Sequence, residues 1–116
     1  MRDFTIWHNP RCSKSREALN ILESKGADTV IIKYLEEKIT AEMIEELLKK
    51  LGISAKELLR TKEEEYKGLG LKDETNEKKL IEAMVEHPKL IERPIVIKGD
   101  KAVLGRPPEK VLALFE

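Results

Sequence analysis

One cysteine, Cys12, is all the thiol this 116-residue chain carries. That excludes an intramolecular disulfide and any multi-cysteine zinc site. With two widely separated histidines beside it, no metal site is expected either. Net charge is missing as well: 22 Lys and Arg residues balance 22 Asp and Glu residues. A neutral total argues against general binding to nucleic acid or to a membrane, so neither partner is expected. No apolar run approaches the roughly 18 residues of a membrane span. The opening MRDFTIWHNP lacks the apolar stretch of a signal peptide. Repeats and low-complexity linkers are also absent. The expectation is a soluble cytoplasmic protein whose thiol stays reduced.

What is present suffices for one packed domain, expected over residues 1–116, with 41% hydrophobic residues. Phe4–His8 reads as a strand, and Asn9-Pro10 as a turn. A helix follows with Ala18, Leu19 and Leu22 on its apolar face, ending at Gly26. Val30–Leu35 reads as a second strand, completing a β-α-β unit over residues 1–35 that implies parallel strands. Residues from about 36 to 92 read as a helical insertion. There Thr40 caps one helix, Ser54 and Glu57 have capping-box spacing, and Leu80, Ile81, Met84 and Val85 stripe another. Residues 93–116 change character. Strands at Pro94–Lys98 and Ala102–Leu104 flank the turn Lys98-Gly99-Asp100-Lys101, and a last helix buries Val111, Leu112 and Phe115. The sum is an α/β fold with a mixed sheet of about four strands.

Cys12 falls where a loop becomes a helix. The first N–H groups of a helix have no intrahelical acceptor, and the macrodipole puts about half a positive charge there. A free thiol titrates near 8.5, and such surroundings bring it down. Arg11, Lys14 and Arg16 add cations nearby in sequence, and the Ser15 hydroxyl is placed to hydrogen-bond a thiolate. The same N–H groups form an anion cradle. His8, at the strand end, is positioned to donate to the thiolate or tune its charge. Cys12 with Ser15 has the spacing of a C-x-x-C motif whose second thiol is a serine. Such a site attacks but needs an external thiol to resolve a mixed disulfide.

Arg60, Arg93 and Arg106 stand at the ends of elements. The Gly99-Asp100 turn places Arg93 and Arg106 at the same end of the hairpin, and arginine offers a planar fork for oxyanions. Pro94 follows Arg93 at a strand start, where a cis peptide bond can occur. His87 and the Glu63–Glu65 run read as structural or solvated, and Trp7 as a sheet-face aromatic.

The segments HNPRCSKSR (8–16), RPIV (93–96) and GRPPE (105–109) together resemble the ArsC-type arsenate reductase family, in its glutaredoxin- and glutathione-dependent branch. The resemblance spans essentially the whole chain. It implies a thioredoxin-like fold with a helical insertion and an oxidoreductase acting in arsenic detoxification. It implies that Cys12 attacks arsenate, that Arg60, Arg93 and Arg106 bind the anion, that His8 and Ser15 help keep the thiolate, and that Pro94 is cis. No bound cofactor is implied. Glutathione is the external reductant, glutaredoxin the protein partner, and a monomer is expected. The loop departs from the commoner cysteine-glycine-threonine-serine: here it reads Cys12-Ser13-Lys14-Ser15, as in a subgroup of ArsC-like proteins. Lys14 adds a cation and the glycine is gone, which bears on the shape of the anion loop. Two other readings share the scaffold: a general glutathione-linked thiol oxidoreductase, and an Spx-like transcriptional regulator. Ser15 disfavours the second by removing its C-x-x-C switch.

Overall fold

The computed structural model describes residues 4–115; residues 1–3 and 116, the outer ends of the expected domain, lie outside the described residues. The chain divides into two compact units. One comprises the residues up to Glu37 and those from Arg93 onward, the other Lys38–Glu92.

In the first unit, β1 (Phe4–Trp7), β2 (Thr29–Ile32), β3 (Ile95–Lys98) and β4 (Lys101–Leu104) form a sheet in the order β2-β1-β3-β4. β1 runs parallel to β2 and antiparallel to β3, and β3 is antiparallel to β4. The parallel pair needs a crossover, supplied by helix α1 (Ser13–Ser24). Strand alternation then sorts the side chains. Phe4, Ile6 and Val96 face a core completed by Ala18 and Leu22 of α1 and by Val111 and Leu114. Trp7 and Ile95 pair on the opposite sheet face, where Trp7 stacks on Tyr34 with ring centroids 6.2 Å apart.

Two expectations are corrected here, and one short helix is added. The second strand stops at Ile32, short of Leu35. The Lys33 N–H is taken by the Glu37 carboxylate at 2.7 Å, and the Glu36 and Glu37 N–H groups return to the Lys33 carbonyl. A turn therefore follows, and Tyr34 is apolar and fully buried without being in a strand. The last helix, Pro108–Phe115, is a 3₁₀ helix. Its period of about three residues per turn buries Pro108, Val111 and Leu114, leaving Leu112 exposed. Finally, Glu64–Gly68 forms a short helix with no buried residue, so no apolar stripe could announce it.

The hairpin turn carries Gly99 at φ +59 in its first central position, as a II′ turn requires. Just past β4, the Gly105 N–H donates to the Pro94 carbonyl at 2.8 Å. A Cβ at Gly105 would stand 2.8 Å from the Pro94 ring Cγ and 3.4 Å from Val111 Cγ1. Both neighbours are buried, so neither can swing away into solvent. Gly105→Ala is expected to destabilise the protein by about 1–3 kcal/mol, the usual range for overpacking. Denaturant midpoints of the variant and parent measure it.

In the second unit, helix α2 (Ala41–Leu51) opens on Thr40, whose hydroxyl accepts the Met43 N–H, and closes on Gly52 in the left-handed region. Helix α3 (Ala55–Leu58) begins with the complete Ser54/Glu57 capping box. The helix over Glu64–Gly68 is α4, and α5 is Glu77–Glu86. Both α2 and α3 pack against α5. Leu59 and Ile91 form an isolated bridge. The Arg60 N–H donates to the Leu90 carbonyl at 2.8 Å, and the Glu92 N–H to the Leu58 carbonyl at 2.9 Å. These bonds fix the backbone on both sides of Leu59, immediately before Arg60.

Candidate active site

The loop from β1 to α1 sets the cysteine. Cys12 occupies the N-cap position of α1 with extended backbone, and its side chain is partly buried. Sγ makes no full capping hydrogen bond, but the backbone N–H groups of Ser15 and Lys14 favour its charged form. Burial alone pushes the thiol up. It is outweighed by Arg93, whose guanidinium hydrogen-bonds the sulfur and adds its charge, and by those backbone N–H groups. The net direction is down, which favours the thiolate.

The cation doing this is Arg93, remote in sequence; of the cations near Cys12 in sequence, Lys14 and Arg16 are engaged elsewhere. Lys14 Nζ lies 3.9 Å from Glu17 on the same exposed helix face. Arg16 Nη1 donates to the Pro10 carbonyl at 2.9 Å. Lys14 therefore contributes its backbone N–H to the sulfur, while its charge points along the helix. Ser13 is the first residue of α1, and among the described residues only glycines have positive φ. Nothing in the loop's backbone demands a glycine at that position.

The expected bond from the Ser15 hydroxyl to the thiolate is corrected. That hydroxyl is fully buried, shares a hydrogen bond with His8 Nδ1 and accepts the Asn9 N–H at 3.1 Å. His8 is buried too. Burial lowers its pKa first, and the charges of Lys33 and Arg16 lower it further. These influences favour the neutral imidazole, whose Nδ1 is bonded to Ser15 in the first turn of α1.

Arg93 and Arg106 meet at the open end of the hairpin, because β3 and β4 pair with Ile95 opposite Leu104. Arg106 is exposed, and its Nε donates to the Arg93 carbonyl at 2.7 Å. The Arg93–Pro94 peptide bond is cis, as is Arg106–Pro107, which the sequence reading did not single out. Arg93 keeps a buried Nε without a hydrogen-bond partner. Arg60 belongs to the other unit. Its Nε lies 3.8 Å from Glu92, and its Nη1 is likewise buried without a hydrogen-bond partner. Buried donors left unpaired are uncommon and costly, and an oxyanion is the natural acceptor for a guanidinium. Among the described residues no three His, Cys, Asp or Glu side chains gather as a metal site.

A thiol held toward its anionic form at a helix start, with a partly unpaired arginine on it, invites comparison with known thiol enzymes. The ArsC family model matches residues 7–114. This chain belongs to the ArsC family. Among its relatives, an arsenate reductase of Haemophilus influenzae is 49% identical over 95% of this chain and 97% of its own length. An Escherichia coli protein named YfgD, described as uncharacterized, is 53% identical over 94% of this chain and 93% of its own. Among solved structures, an arsenate reductase from Vibrio cholerae superposes with a TM-score of 0.92 at 48% identity, covering 95% of each chain. The α/β fold with its mixed four-stranded sheet is thus the thioredoxin-like fold of this family.

Proposed function

We propose that this ArsC-family protein reduces arsenate to arsenite with Cys12 as nucleophile. What supports the reading is the place of Cys12 at the N-cap of α1, where the Arg93 guanidinium and the Ser15 and Lys14 N–H groups favour its charged form. The relatives named arsenate reductase supply the substrate. In the first step the thiolate attacks arsenic, an S–As bond forms, and an oxygen of arsenate leaves as water after protonation. In this reading Arg60, Arg93 and Arg106 hold the remaining oxyanion charge, where guanidinium donors are worth most. A glutathione thiol then replaces a second oxygen on arsenic, again releasing water. A thiol of glutaredoxin attacks that glutathione sulfur. The As–S pair stays on arsenic, which falls from As(V) to As(III), and a mixed disulfide of glutathione and glutaredoxin departs. Water releases arsenite and restores Cys12. The two electrons come from two external thiols, as a chain with one cysteine requires. In this scheme the domain acts as a monomer over its whole length, and His8 and Ser15 support the loop that carries the nucleophile.

The test couples purified protein to glutathione, glutaredoxin, its reductase and NADPH. Arsenate-dependent NADPH loss is the expected result. Its absence beside an active control enzyme, with turnover of glutathionylated peptides instead, moves the function to a general glutathione-linked thiol oxidoreductase.

A further inference from the structure

We propose that Asn9 is a positioning residue for the Cys12 nucleophile: its side-chain carbonyl locks the loop between β1 and α1 into the turn that presents the sulfur to the helix N–H groups and to Arg93. The role in catalysis rests on the arsenate-reductase reading; the positioning itself does not.

The observation is an accounting of the loop's backbone donors. The His8 N–H still pairs with the Ile32 carbonyl of β2 at 2.8 Å. Pro10 has no N–H. The remaining donors all involve Asn9. Its own N–H goes to the Ser15 hydroxyl at 3.1 Å. Its side-chain Oδ1 accepts the Arg11 N–H at 3.0 Å, and its backbone carbonyl accepts the Cys12 N–H at 3.0 Å. Asn9 is buried, its N–H bond to Ser15 is buried and its Oδ1 bond to Arg11 is partly buried, which limits competition from water.

Asparagine at the first turn position with proline at the second is the preferred chemistry for a tight turn of this kind, and the Oδ1 bond is an Asx turn. The backbone carbonyl bond is available to any residue; the Oδ1 bond is not. Without it, Arg11 loses its acceptor, and the turn is left to the main-chain bonds of residue 9 and the exposed Arg16-to-Pro10 bond. The sulfur sits at the end of this loop. Its favourable surroundings depend on where the loop delivers it, since no full capping bond holds it. An aspartate could close the same turn, but it would place a negative charge in the loop that must carry a thiolate.

The experiment is the pH dependence of iodoacetamide alkylation of Cys12 in purified Asn9→Ala and Asn9→Ser, with thermal unfolding recorded for both. Asn9→Ala is expected to move the alkylation midpoint up and to slow alkylation at pH 7 by about five- to tenfold, the effect of one lost hydrogen bond. Asn9→Ser retains a short oxygen acceptor able to form the equivalent turn, and should recover most of the rate. Should Asn9→Ala not fold, Asn9→Gln moves the carbonyl one methylene out of place and carries the same expectation. An unchanged midpoint in Asn9→Ala, or a shift in Asn9→Ser as large as in Asn9→Ala, overturns the proposal. Alkylation needs no arsenate, so a protein inactive on arsenate whose midpoint still follows residue 9 contradicts the substrate reading and leaves the positioning role standing.

Discussion

Cys12→Ser is expected to bring arsenate-dependent NADPH oxidation in the coupled assay down to the level without enzyme, a loss of at least about 10³-fold. The reason is chemical before it is structural. A serine hydroxyl stays protonated at neutral pH, whereas every feature around residue 12 that outweighs burial acts by favouring an anion: the Arg93 guanidinium and the N–H groups of Ser15 and Lys14. No other thiol exists in the chain to take over. The substitution is close to isosteric at a partly buried position, so the fold should persist, and an unchanged melting temperature verifies that. Activity well above background would mean that arsenate is reduced without a protein thiolate.

Arg93→Ala is expected to lower kcat/KM for arsenate by about 10²–10³-fold, the usual cost of removing a donor from a developing anion. Two effects combine. The thiol loses both the hydrogen bond and the charge that oppose burial, so its alkylation midpoint moves up. The substrate loses a guanidinium with a buried, unpaired Nε. Arg93→Lys separates them. It keeps a positive charge and should recover part of the alkylation shift, but a point charge does not replace a planar fork, so most of the turnover loss should remain. Arg93→Ala within about twofold of the parent in both measurements would remove Arg93 from the mechanism.

Local signals were readable from the residues themselves. The Ser54/Glu57 capping box, the Thr40 cap and the Gly99 turn are each decided within a few residues, and each is present. The placement of Cys12 at a helix start is of the same kind. Signals that depend on tertiary partners were not readable in detail. The Ser15 hydroxyl turns to His8 because His8 is buried behind the loop, which spacing along a helix cannot reveal. The charge that matters to the thiol comes from Arg93 across the sheet, not from its sequence neighbours Arg11, Lys14 and Arg16. The 3₁₀ period of the last helix buries Leu114 and exposes Leu112, a choice its tertiary packing makes and its residue types do not. The Asn-Pro pair that signals the turn also names the residue that closes it, Asn9.

The departure at Ser13 and Lys14 now has a physical reading. Ser13 takes helical backbone and Lys14 directs its ammonium to Glu17, so the loop presents its N–H groups to the sulfur without a glycine and without the lysine charge. The features that make the thiol reactive therefore lie outside those two side chains.

The most direct measurement is the alkylation rate of Cys12 by iodoacetamide across pH, with and without arsenate. A midpoint below that of an ordinary thiol, and slowing of the reaction by arsenate, is the predicted result. A midpoint at or above the ordinary thiol value with no protection by arsenate would contradict the central claim that Cys12 is an arginine-held thiolate facing an oxyanion site.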